Sequence, residues 1–412
     1  MEEQFQEEES RDVFAKGMIL GFFGAFLLLF LVVFTLQQLD VFDVSKAFYR
    51  TSHKSLEKRI NKKVNLLEAY IDKFYLNKID DDTMAEEVYK GVINGLGDDY
   101  GEYYTKEEYE NITQKSDGVY CGIGVTICQD AKTGVITVLQ TSKNGPAQKA
   151  GIQEGDQLYA INGMTLFRKD ISQVQALIKG GEDSRIKVTV LRDNKRLQFK
   201  VKRKDFEEKT VFTTILSNRI GYMRVTGFKK VTRKQFSKAI KKMKKKNVKA
   251  LIIDLRNNGG GLLDIGVDML DEMLPKGLVV YSKDKEGNTT KEYAKSEDSF
   301  DKPVAILVNE NSASCSEVFA GAMQDKERAV LVGTKTFGKG IVQGVFKLED
   351  GSALKMTISK YYTPKGRNIH GKGLTPDILV ELNDKKTKDR KTGKELDNQL
   401  KKAVEYLQEK CS

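Results

Sequence analysis

The sequence predicts a multidomain α/β (α+β) protein that carries one membrane-spanning helix and a small β domain. Three observations lead to this fold class. A long apolar run occupies residues 18–36, short strand-like runs bounded by glycine fill residues 117–204, and alternating strand-like and helix-like runs fill residues 205–380. A period of two residues indicates strands and a period of about 3.6 indicates helices. At 412 residues the chain is long enough for two or three domains.

The apolar run MILGFFGAFLLLFLVVFTL, residues 18–36, contains no charged residue. At about 1.5 Å per residue, a helix of this length crosses the hydrocarbon core of a bilayer. The QQLDVFDV that follows offers no small-residue cleavage site, which favours an uncleaved anchor over a removed signal peptide. Large domains cross a membrane largely regardless of flanking charge. We therefore predict a single-pass protein of the cell membrane, with a tail at residues 1–17 and the C-terminal bulk outside the cytoplasm.

The chain has a net charge of +11 and a pI near 9.1. Its lysine-rich runs, residues 241–249 and 385–394, have no interleaved aromatic side chains on which bases would stack. These lysine-rich runs are therefore more typical of a solvent-exposed surface or of a surface attracted to anionic lipid. We predict no nucleic-acid partner. Cys121 and Cys128 are seven positions apart and point to opposite faces of one strand, so we predict no disulfide framework.

Residues 37–116 are predicted to form a helical stalk or N-terminal region. Apolar residues recur there at steps of three and four, the period of one helix face, which predicts a stalk or dimer helix. A second helix is predicted over TMAEEVYKGVINGL, with Asp82 or Thr83 as its N-cap. The tail at residues 381–412 contains a third amphipathic helix. The positions on these apolar faces are Leu56, Ile60, Val64, Leu67, Ile71 and Phe74 in the first helix, and Leu396, Leu400, Ala403 and Leu407 in the tail.

Residues 117–204 read as a compact β domain with one short helix over residues 171–178. Three of its segments together resemble a PDZ domain: the GIGV loop, the segment GPAQKAGIQEGDQLYAING at residues 145–163, and this helix. In such a domain the backbone N–H groups of the loop bind a terminal carboxylate, and an extended peptide adds to the sheet edge. The resemblance implies a carboxylate-binding loop made of Gly122, Ile123, Gly124 and Val125.

The segment GTKTFGKGIVQ contains most of a phosphate-binding pattern, with four residues between Gly333 and the pair Gly338 and Lys339. Two features argue against a phosphate loop. Gly340 stands where a hydroxyl would bind magnesium, and the residues that follow are strand-like, whereas a phosphate loop opens a helix. We therefore predict no nucleotide at this loop, and Lys339 needs another role. The overall interpretation of the sequence also implies no metal and no other cofactor.

The segment VNENSASCSEVFAGAMQD, residues 308–325, turns from an apolar strand through small polar residues into a helix. Such a turn exposes a nucleophile at a helix N-terminus. Ser312, Ser314 and Ser316 all fit that role, and Ser314 or Ser316 also fits a plain helix N-cap.

A serine nucleophile needs a base, and the chain has two histidines. His53 follows the membrane span closely, which is a poor position for a distal site, whereas His370 lies in a polar loop. A lysine serves equally if burial lowers its pKa from about 10.4 to about 7 or 8. The apolar neighbours Phe337, Ile341 and Val342 are predicted to bury Lys339.

A third element is DLRNNGGGLLD, residues 254–264, which follows a buried strand. Three consecutive glycines allow a close backbone approach and leave N–H groups free for an oxyanion. The same residues also fit a wide turn with no chemical role.

Six segments follow one another along the chain: LGDDYGEYYTKEEY, the inserted PDZ-like domain, DLRNNGGGLLD, NSASCSEVFAGAMQD, GTKTFGKGIVQ and YYTPKGRNIHGKGLTPDI. Together they resemble the carboxyl-terminal processing peptidases of family S41, the tail-specific Ser/Lys proteases. The resemblance implies a peptidase core of the crotonase/ClpP type over residues 205–380. It implies Ser314 as nucleophile, Lys339 as base, Gln343 as the residue that positions the lysine, and the backbone N–H groups of Gly260 and Cys315 as the oxyanion site.

Two positions depart from the pattern of that family. Cys315 replaces the alanine that is common after the nucleophile, so we expect this position to be sensitive to oxidants. His370 stands where relatives often carry another polar residue.

The function predicted is a membrane-anchored endopeptidase that cuts proteins near exposed C-termini captured by the PDZ domain. Homodimerisation through the end helices and gating by the PDZ domain are also implied. The alternative is a catalytically silent PDZ scaffold that binds C-termini.

Overall fold

The computed structural model describes residues 54–384, 386–389 and 391–411. The predicted membrane span at residues 18–36, the tail at residues 1–17 and His53 lie outside the described residues. Within the described part of the chain, no helix is both long and apolar enough to cross a bilayer. The chain divides into two compact units, residues 1–81 and 82–412.

The described part of the first unit is mostly helix α1 (Lys54–Phe74). Glu57 in its first turn and Lys73 in its last turn carry the charges that the helix dipole favours at each end. Leu67 and Phe74, on the predicted apolar face, are 53% and 67% exposed. The predicted helix is confirmed, and its role as a stalk or dimer helix stays a prediction.

Helix α2 (Asp81–Asn94) leads from the first unit into the second. It begins at Asp81, so the proposed N-caps Asp82 and Thr83 lie inside its first turn, and that detail of the prediction is wrong. Strand β1 (Glu102–Tyr104) and helix α3 (Lys106–Asp117) follow. A capping box starts α3, with Thr105 Oγ1 accepting from the Glu108 N–H at 3.2 Å and Glu108 Oε2 accepting from the Thr105 N–H at 2.9 Å.

The next segment is the predicted β domain. Its main antiparallel sheet has the order β3-β4-β5-β7-β8, with β6 on β5, while β2 and β9 pair where the chain enters and leaves. In β7, buried Ile186, Val188 and Val190 alternate with more exposed residues, as expected for a strand with one face on the core. The elements are β2 (Val119–Gly122), β3 (Val125–Gln129), β4 (Ile136–Thr141), α4 (Pro146–Ala150), β5 (Gln157–Ile161), β6 (Met164–Thr165), α5 (Ile171–Ile178), β7 (Arg185–Arg192), β8 (Lys195–Lys202) and β9 (Lys204–Glu207).

The rest of the chain alternates strands and helices, as predicted for residues 205–380. The elements are β10 (Val211–Ile215), β11 (Ile220–Val225), α6 (Lys230–Lys245), β12 (Ala250–Asp254), α7 (Leu263–Asp271), β13 (Gly277–Asp284), β14 (Thr289–Ala294), β15 (Val304–Val308), α8 (Cys315–Asp325), β16 (Ala329–Gly333), β17 (Ile341–Lys347), β18 (Ala353–Tyr362), β19 (Ile378–Leu379), β20 (Lys386–Lys388), β21 (Glu395–Asp397) and α9 (Asn398–Cys411).

The central sheet has the order β10-β11-β12-β15-β16-β19 and is parallel except for β10. Both of its faces are covered, which explains why β12 and β15 are continuous apolar runs. Leu251 and Ile253 of β12 share one core with residues of α6, α7 and α8, and Ile252 shares a second core with α9. The carboxyl ends of these strands carry the loops in which the candidate site lies.

A second, antiparallel sheet contains β1, β18, β13 and β14, with β17 on β18. Strand β1 pairs with β18 through Tyr104 and Ala353, so the region predicted as a helical stalk also contributes a strand to this sheet. Strand β17 begins at Ile341 directly after the GTKTFGKG loop. A strand rather than a helix therefore follows the loop, in agreement with the argument against a phosphate site.

The tail differs from its prediction at one end. Residues 395–397 form β21, which pairs with β20, and the helix starts only at Asn398. The predicted apolar face is confirmed, because its four members are buried against the central sheet. They are Leu396, Leu400, Ala403 and Leu407.

Candidate active site

Ser314 lies on the turn between β15 and α8, one residue before the helix begins. Its φ of 56° and ψ of −119° belong to a region that glycine usually occupies, as at the first central position of a type II′ turn. Holding a side chain there costs about 1 to 3 kcal/mol. The surrounding contacts must therefore enforce this conformation, which is typical of residues at reactive sites.

The three candidate serines differ in what their hydroxyl groups do. The Ser312 hydroxyl donates to the Leu255 carbonyl and the Ser316 hydroxyl donates to the Asn258 carbonyl, both at 2.8 Å and both fully buried. Ser314 is half-buried, and its side chain lies beside the phenol of Tyr361. The hydroxyls of Ser312 and Ser316 therefore tie the turn to the segment that leads into the three glycines, which leaves Ser314 as the candidate nucleophile.

Glu317 joins the serine turn to the lysine loop. Its carboxylate is fully buried, and Oε2 accepts from the backbone N–H groups of Ser314 at 2.9 Å and of Lys339 at 2.8 Å. Oε1 accepts from the Thr336 hydroxyl at 2.6 Å and from the Gly338 N–H at 2.8 Å. Sequence reasoning assigned Glu317 no role, although the spacing from Ser314 to Glu317 is that of a capping box.

Tyr361 on β18 makes a second connection. Its hydroxyl donates to the Ser314 carbonyl at 3.1 Å and also to the Lys339 carbonyl. The side chain is 3% exposed, and burial raises the pKa of its phenol well above the usual value, so it is a neutral donor. Ser314 and Lys339 are twenty-five positions apart. Their backbone groups nevertheless form hydrogen bonds with the same carboxylate oxygen, Glu317 Oε2, and with the same phenol, that of Tyr361.

Lys339 is half-buried in the loop between β16 and β17. Burial, followed by the positive charge of Lys355, lowers the pKa of its amine below the ordinary 10.5, and the carboxylate of Asp98 opposes this shift. The direction is the one that a general base near neutral pH requires. Of the residues predicted to bury it, Phe337 is 58% exposed, and the Lys339 Nζ lies instead over the ring of Tyr100, 4.1 Å from the centroid.

Gln343 lies on β17 where the pairing with β18 shifts register, between Val342 and Gln343. Its Nε2 is buried, and within the described part of the chain it has no hydrogen-bond partner. An unpaired buried donor costs about 1 to 3 kcal/mol. Gln343 therefore holds an unused donor on the strand that follows the lysine loop.

The glycine loop packs directly on the serine turn. Gly260 has a φ of +100°, and a Cβ added there would lie 2.9 Å from both Ser314 Cβ and the Cys315 nitrogen, so only glycine fits. The Gly260 N–H donates to Asn258 Oδ1 at 2.9 Å. Of the two predicted oxyanion donors, Gly260 thus already has an intramolecular acceptor, and Cys315 lies at the first helical position of α8.

The Cys315 side chain does not have the properties of a reactive thiol. It is 2% exposed, its Sγ lies 3.3 Å from the Leu262 carbonyl oxygen, and burial raises its pKa. Reactive cysteines have a low pKa and are accessible. The expectation of oxidant sensitivity at this position is therefore not supported.

His370 is exposed, yet its backbone packs on the residue after Lys339: a Cβ on Gly340 would lie 2.5 Å from the His370 nitrogen. The Gly371 N–H donates to the Gly338 carbonyl at 2.8 Å. The loop that carries His370 thus supports the lysine loop through backbone contacts.

The predicted carboxylate loop connects β2 to β3. Ile123 is fully buried and its carbonyl accepts from the Ala147 N–H, while the Gly124 carbonyl accepts from the Ser142 N–H at 2.8 Å. A cavity of about 390 Å³ lies beside the loop. It is lined by the loop itself, by Ile127, by Gln175 and Ile178 of α5, and by residues of α3, among others.

Comparison with known proteins agrees with this architecture. Peptidase family S41 matches residues 219–380, and a PDZ domain family matches residues 137–192. A probable CtpA-like serine protease of Staphylococcus haemolyticus (strain JCSC1435) is 38% identical over 328 residues, which cover 79% of this chain and 65% of the relative. A protein of the same description from Staphylococcus epidermidis (strain ATCC 35984) is 36% identical over 337 residues, covering 81% of this chain and 68% of the relative. The chain thus aligns with about two thirds of the length of these relatives.

Among solved structures, the photosystem II D1 C-terminal processing protease is 28% identical, with a TM-score of 0.46, and the match covers 77% of this chain and 86% of that chain. The relatives are described as serine proteases, and this chain itself matches a PDZ domain family. The chain belongs to peptidase family S41. The family predicted from the motifs is therefore confirmed.

Proposed function

We propose that this chain is a membrane-anchored serine endopeptidase that cleaves other proteins near their carboxyl termini. Ser314 is the nucleophile, Lys339 is the general base and Gln343 orients the lysine. The observation that carries this proposal is the buried Glu317 carboxylate, which accepts hydrogen bonds from the backbone N–H groups of both Ser314 and Lys339. A base and a nucleophile must lie within reach of each other, and this shared acceptor brings their backbones together.

The proposed reaction is acyl transfer. The neutral Lys339 amine takes the hydroxyl proton of Ser314 as Oγ bonds to the scissile carbonyl carbon, and the carbonyl oxygen becomes an oxyanion. The lysine ammonium then gives its proton to the leaving amine as the peptide bond breaks. Water attacks the acyl-enzyme with Lys339 again as base, which releases the second product and restores the Ser314 hydroxyl.

The oxyanion is assigned to the backbone N–H groups of Gly260 and Cys315. The contact between Gly260 and the serine turn supports this assignment, as does the position of Cys315 at the N-terminus of α8, where N–H groups have no intrahelical acceptor. Because the Gly260 N–H donates to Asn258 Oδ1, an oxyanion there would share or replace that acceptor.

The substrate tail is assigned to the PDZ-like domain, with Gly122, Ile123, Gly124 and Val125 as the loop that receives the terminal carboxylate. The adjacent cavity of about 390 Å³ and its apolar residues Ile127 and Ile178 support a peptide with an apolar C-terminus. Cleavage near the tail follows because the captured terminus and the scissile bond belong to one substrate chain.

Anchoring is assigned to residues 18–36, with the peptidase outside the cytoplasm, on the strength of the apolar run alone. Homodimerisation is assigned to α1, whose Leu67 and Phe74 are exposed, and no longer to the tail helix α9, because its apolar face is buried against the central sheet. Extraction by detergent but not by high salt, together with protease protection of intact cells, tests the first assignment. Sedimentation of the detergent-solubilised chain tests the second.

The test of the catalytic assignment compares the full chain with Ser314→Ala, Lys339→Ala and His370→Ala on a protein substrate with an apolar C-terminal tail. Ser314→Ala and Lys339→Ala should each abolish cleavage, and His370→Ala should retain it. Residual cleavage in either of the first two would remove the proposed Ser/Lys pair. Loss of cleavage in His370→Ala with activity in Lys339→Ala would identify the histidine as base.

The scaffold alternative predicts that the unaltered chain binds the tail without cutting it. Peptide binding and cleavage measured on the same preparation separate the two functions, since Ser314→Ala should bind the tail as well as the unaltered chain does.

A further inference from the structure

The segment LGDDYGEYYTKEEY, residues 96–109, is one of the motifs that resemble the S41 peptidases, and no residue in it has a role in the proposed reaction. Its first part forms a tight turn, in which the Gly101 N–H donates to the Asp98 carbonyl at 2.9 Å and the Tyr100 N–H donates to Asp98 Oδ1 at 3.1 Å. A side chain on such a turn has a well-defined direction, because the backbone on both sides of it is held.

The turn is attached to the sheet that carries the lysine loop. Asp98 Oδ2 accepts from the Thr357 N–H at 2.7 Å, and Asp98 Oδ1 accepts from the Thr357 hydroxyl at 3.0 Å. Thr357 lies on β18 directly opposite Gln343 on β17. One carboxylate thus fixes the turn to the same pair of strands that follows Lys339.

Tyr100 is the side chain that this turn directs at the lysine. Its ring lies under the Lys339 Nζ, which is 4.1 Å from the ring centroid, well within the range of a cation–π contact. Such a contact holds the protonated amine over the ring face, while the ring also excludes water from that side, which favours the neutral amine. Among the described residues, the Lys339 Nζ forms no hydrogen bond, so the ring is the contact that defines where the amine lies.

The charged groups that face the amine come from two elements. Asp98 lies on the turn, and Lys355 lies on β18, where its ammonium is bound by Glu102 Oε2 and the Tyr104 hydroxyl, both at 2.6 Å. The Glu317 carboxylate reaches only the backbone of Lys339, and Tyr361 only its carbonyl. Within the described part of the chain, the charges that act on the amine thus come from the turn and from β18.

We infer that Tyr100 is a positioning residue of the active site, whose ring seats the Lys339 amine and shields one side of it from water, with Asp98 holding the ring in place. The inference rests on the proposed function, because it assigns a role toward the proposed base. Tyr100 itself exchanges no proton with the substrate.

The test measures kcat, KM and the pH dependence of kcat/KM for Tyr100→Ala, Tyr100→Leu and Tyr100→Phe in the full chain. Tyr100→Ala admits water and also removes a contact that favours the protonated amine. Since burial is the first cause of the lowered pKa of Lys339, we expect the effect of water to be the larger one, so that the inflection moves to higher pH and activity at pH 7 falls about tenfold. Tyr100→Leu keeps apolar cover but removes the ring face, so kcat should fall with KM unchanged. Tyr100→Phe should match the unaltered chain, and so should Asp99→Asn, an exposed neighbour.

A second measurement does not depend on cleavage. Acetylation of Lys339, followed by mass spectrometry over a pH series in the Ser314→Ala background, reports the titration of the amine directly. Addition of Tyr100→Ala should move that titration to higher pH, and addition of Tyr100→Phe should leave it in place.

The outcomes separate the inference from the proposed function. If Ser314→Ala and Lys339→Ala are inactive but Tyr100→Ala and Tyr100→Leu keep normal kcat and an unmoved titration, the inference fails and the Ser/Lys pair stands. A fall in activity with the inflection unmoved in Tyr100→Ala would reduce Tyr100 to a structural role and also overturn the inference. Activity in Lys339→Ala would overturn the proposed function first.

Discussion

The two regions to which ligand binding is assigned are built in different ways. The proposed carboxylate loop of the PDZ-like domain is four consecutive residues, 122–125, where β2 passes into β3. The candidate active site is assembled from four separate segments: the turn at residues 98–101, the glycine loop at residues 258–261, the serine turn at residues 312–317 and the lysine loop at residues 336–343. The first site is local in the chain, and the second depends on long-range contacts.

This difference decides which kind of substitution harms each site. A local loop is disturbed by a change in its own backbone conformation, and the effect should fall on substrate capture. An assembled site is disturbed wherever a connecting contact is lost, even when that contact touches no substrate, and the effect should fall on the chemical step.

The largest effect is expected for Glu317→Gln. The amide keeps the size of the side chain but has one acceptor oxygen where the carboxylate has two. In either orientation its NH2 therefore faces a backbone N–H of the lysine loop, that of Gly338 or that of Lys339. We expect kcat to fall about a hundredfold or more with little change in KM. We also expect a loss of about 2 kcal/mol in the free energy of unfolding. Steady-state kinetics and chemical denaturation measure the two effects.

The matched change is Thr336→Val, which removes one of the four donors to Glu317 and leaves the bonds to Ser314 and Lys339. It should be milder in kcat. Equal losses in Thr336→Val and Glu317→Gln would mean that the shared acceptor has no special part in joining the two loops.

Gly124→Ala is the corresponding test of the local site. Gly124 has a φ of +74°, and a Cβ there would lie 2.6 Å from Phe206 Cζ, so alanine must distort the loop. We expect KM for a substrate with an apolar tail to rise about tenfold with kcat unchanged. Cleavage of the same substrate with and without its tail measures the effect.

Gly134→Ala is its control. Gly134 has nearly the same φ, +70°, but nothing lies within 4 Å of the added Cβ, and it lies on the turn between β3 and β4. It should leave KM unchanged. If Gly124→Ala lowers kcat instead of raising KM, the two regions are coupled and the comparison breaks down.

A smaller effect is expected for Tyr361→Phe. The change removes the hydroxyl that donates to the carbonyls of Ser314 and Lys339 while Glu317 still holds both N–H groups. The loss of about 1 kcal/mol corresponds to about a fivefold fall in kcat. Tyr362→Phe, on the next residue of β18, is the control and should leave kcat as it is; a fall there as large as in Tyr361→Phe would argue for a general effect on the strand.

The smallest effect is expected for Lys355→Met, and it appears as a shift in pH dependence. The positive charge of Lys355 disfavours protonation of Lys339, so its removal raises the pKa of the Lys339 amine, and the rate should rise with pH at a higher inflection. The shift should be smaller than that caused by exposing the amine to water, because burial is the larger cause. The pH profile of kcat/KM measures it, with Lys360→Met, an exposed lysine on the same strand, as control. A shift to lower pH would contradict the electrostatic assignment.

Much of the molecule was predictable because its signals are local. The amphipathic face of the tail helix, the strands of the β domain and the strand-to-helix turn at Ser314 are all set by short-range periodicity and by small residues at turns. The helix boundaries were less well predicted: α2 starts at Asp81 and α9 at Asn398, because neighbouring strands and turns compete for the terminal residues.

The assembled parts of the site were not predictable from local pattern. Phe337 was expected to cover the lysine, but Tyr100, more than two hundred residues away in the chain, lies over its amine. Residues 37–116 were expected to be a helical stalk, but β1 adds to the sheet that carries the lysine loop. No sequence period records which distant segment will pack on a given loop.

The sequence by itself determined the family of this protein, the order of its domains and the residue types at the serine turn and the lysine loop, because motifs and hydrophobic periods are properties of neighbouring residues. Only the tertiary structure decided that Glu317 and Tyr361 connect those two segments and that Ser312 and Ser316 are bound to the glycine loop. The reason is physical: a buried carboxylate or hydroxyl must find partners, and the partners are whichever groups the packed core brings within hydrogen-bonding distance.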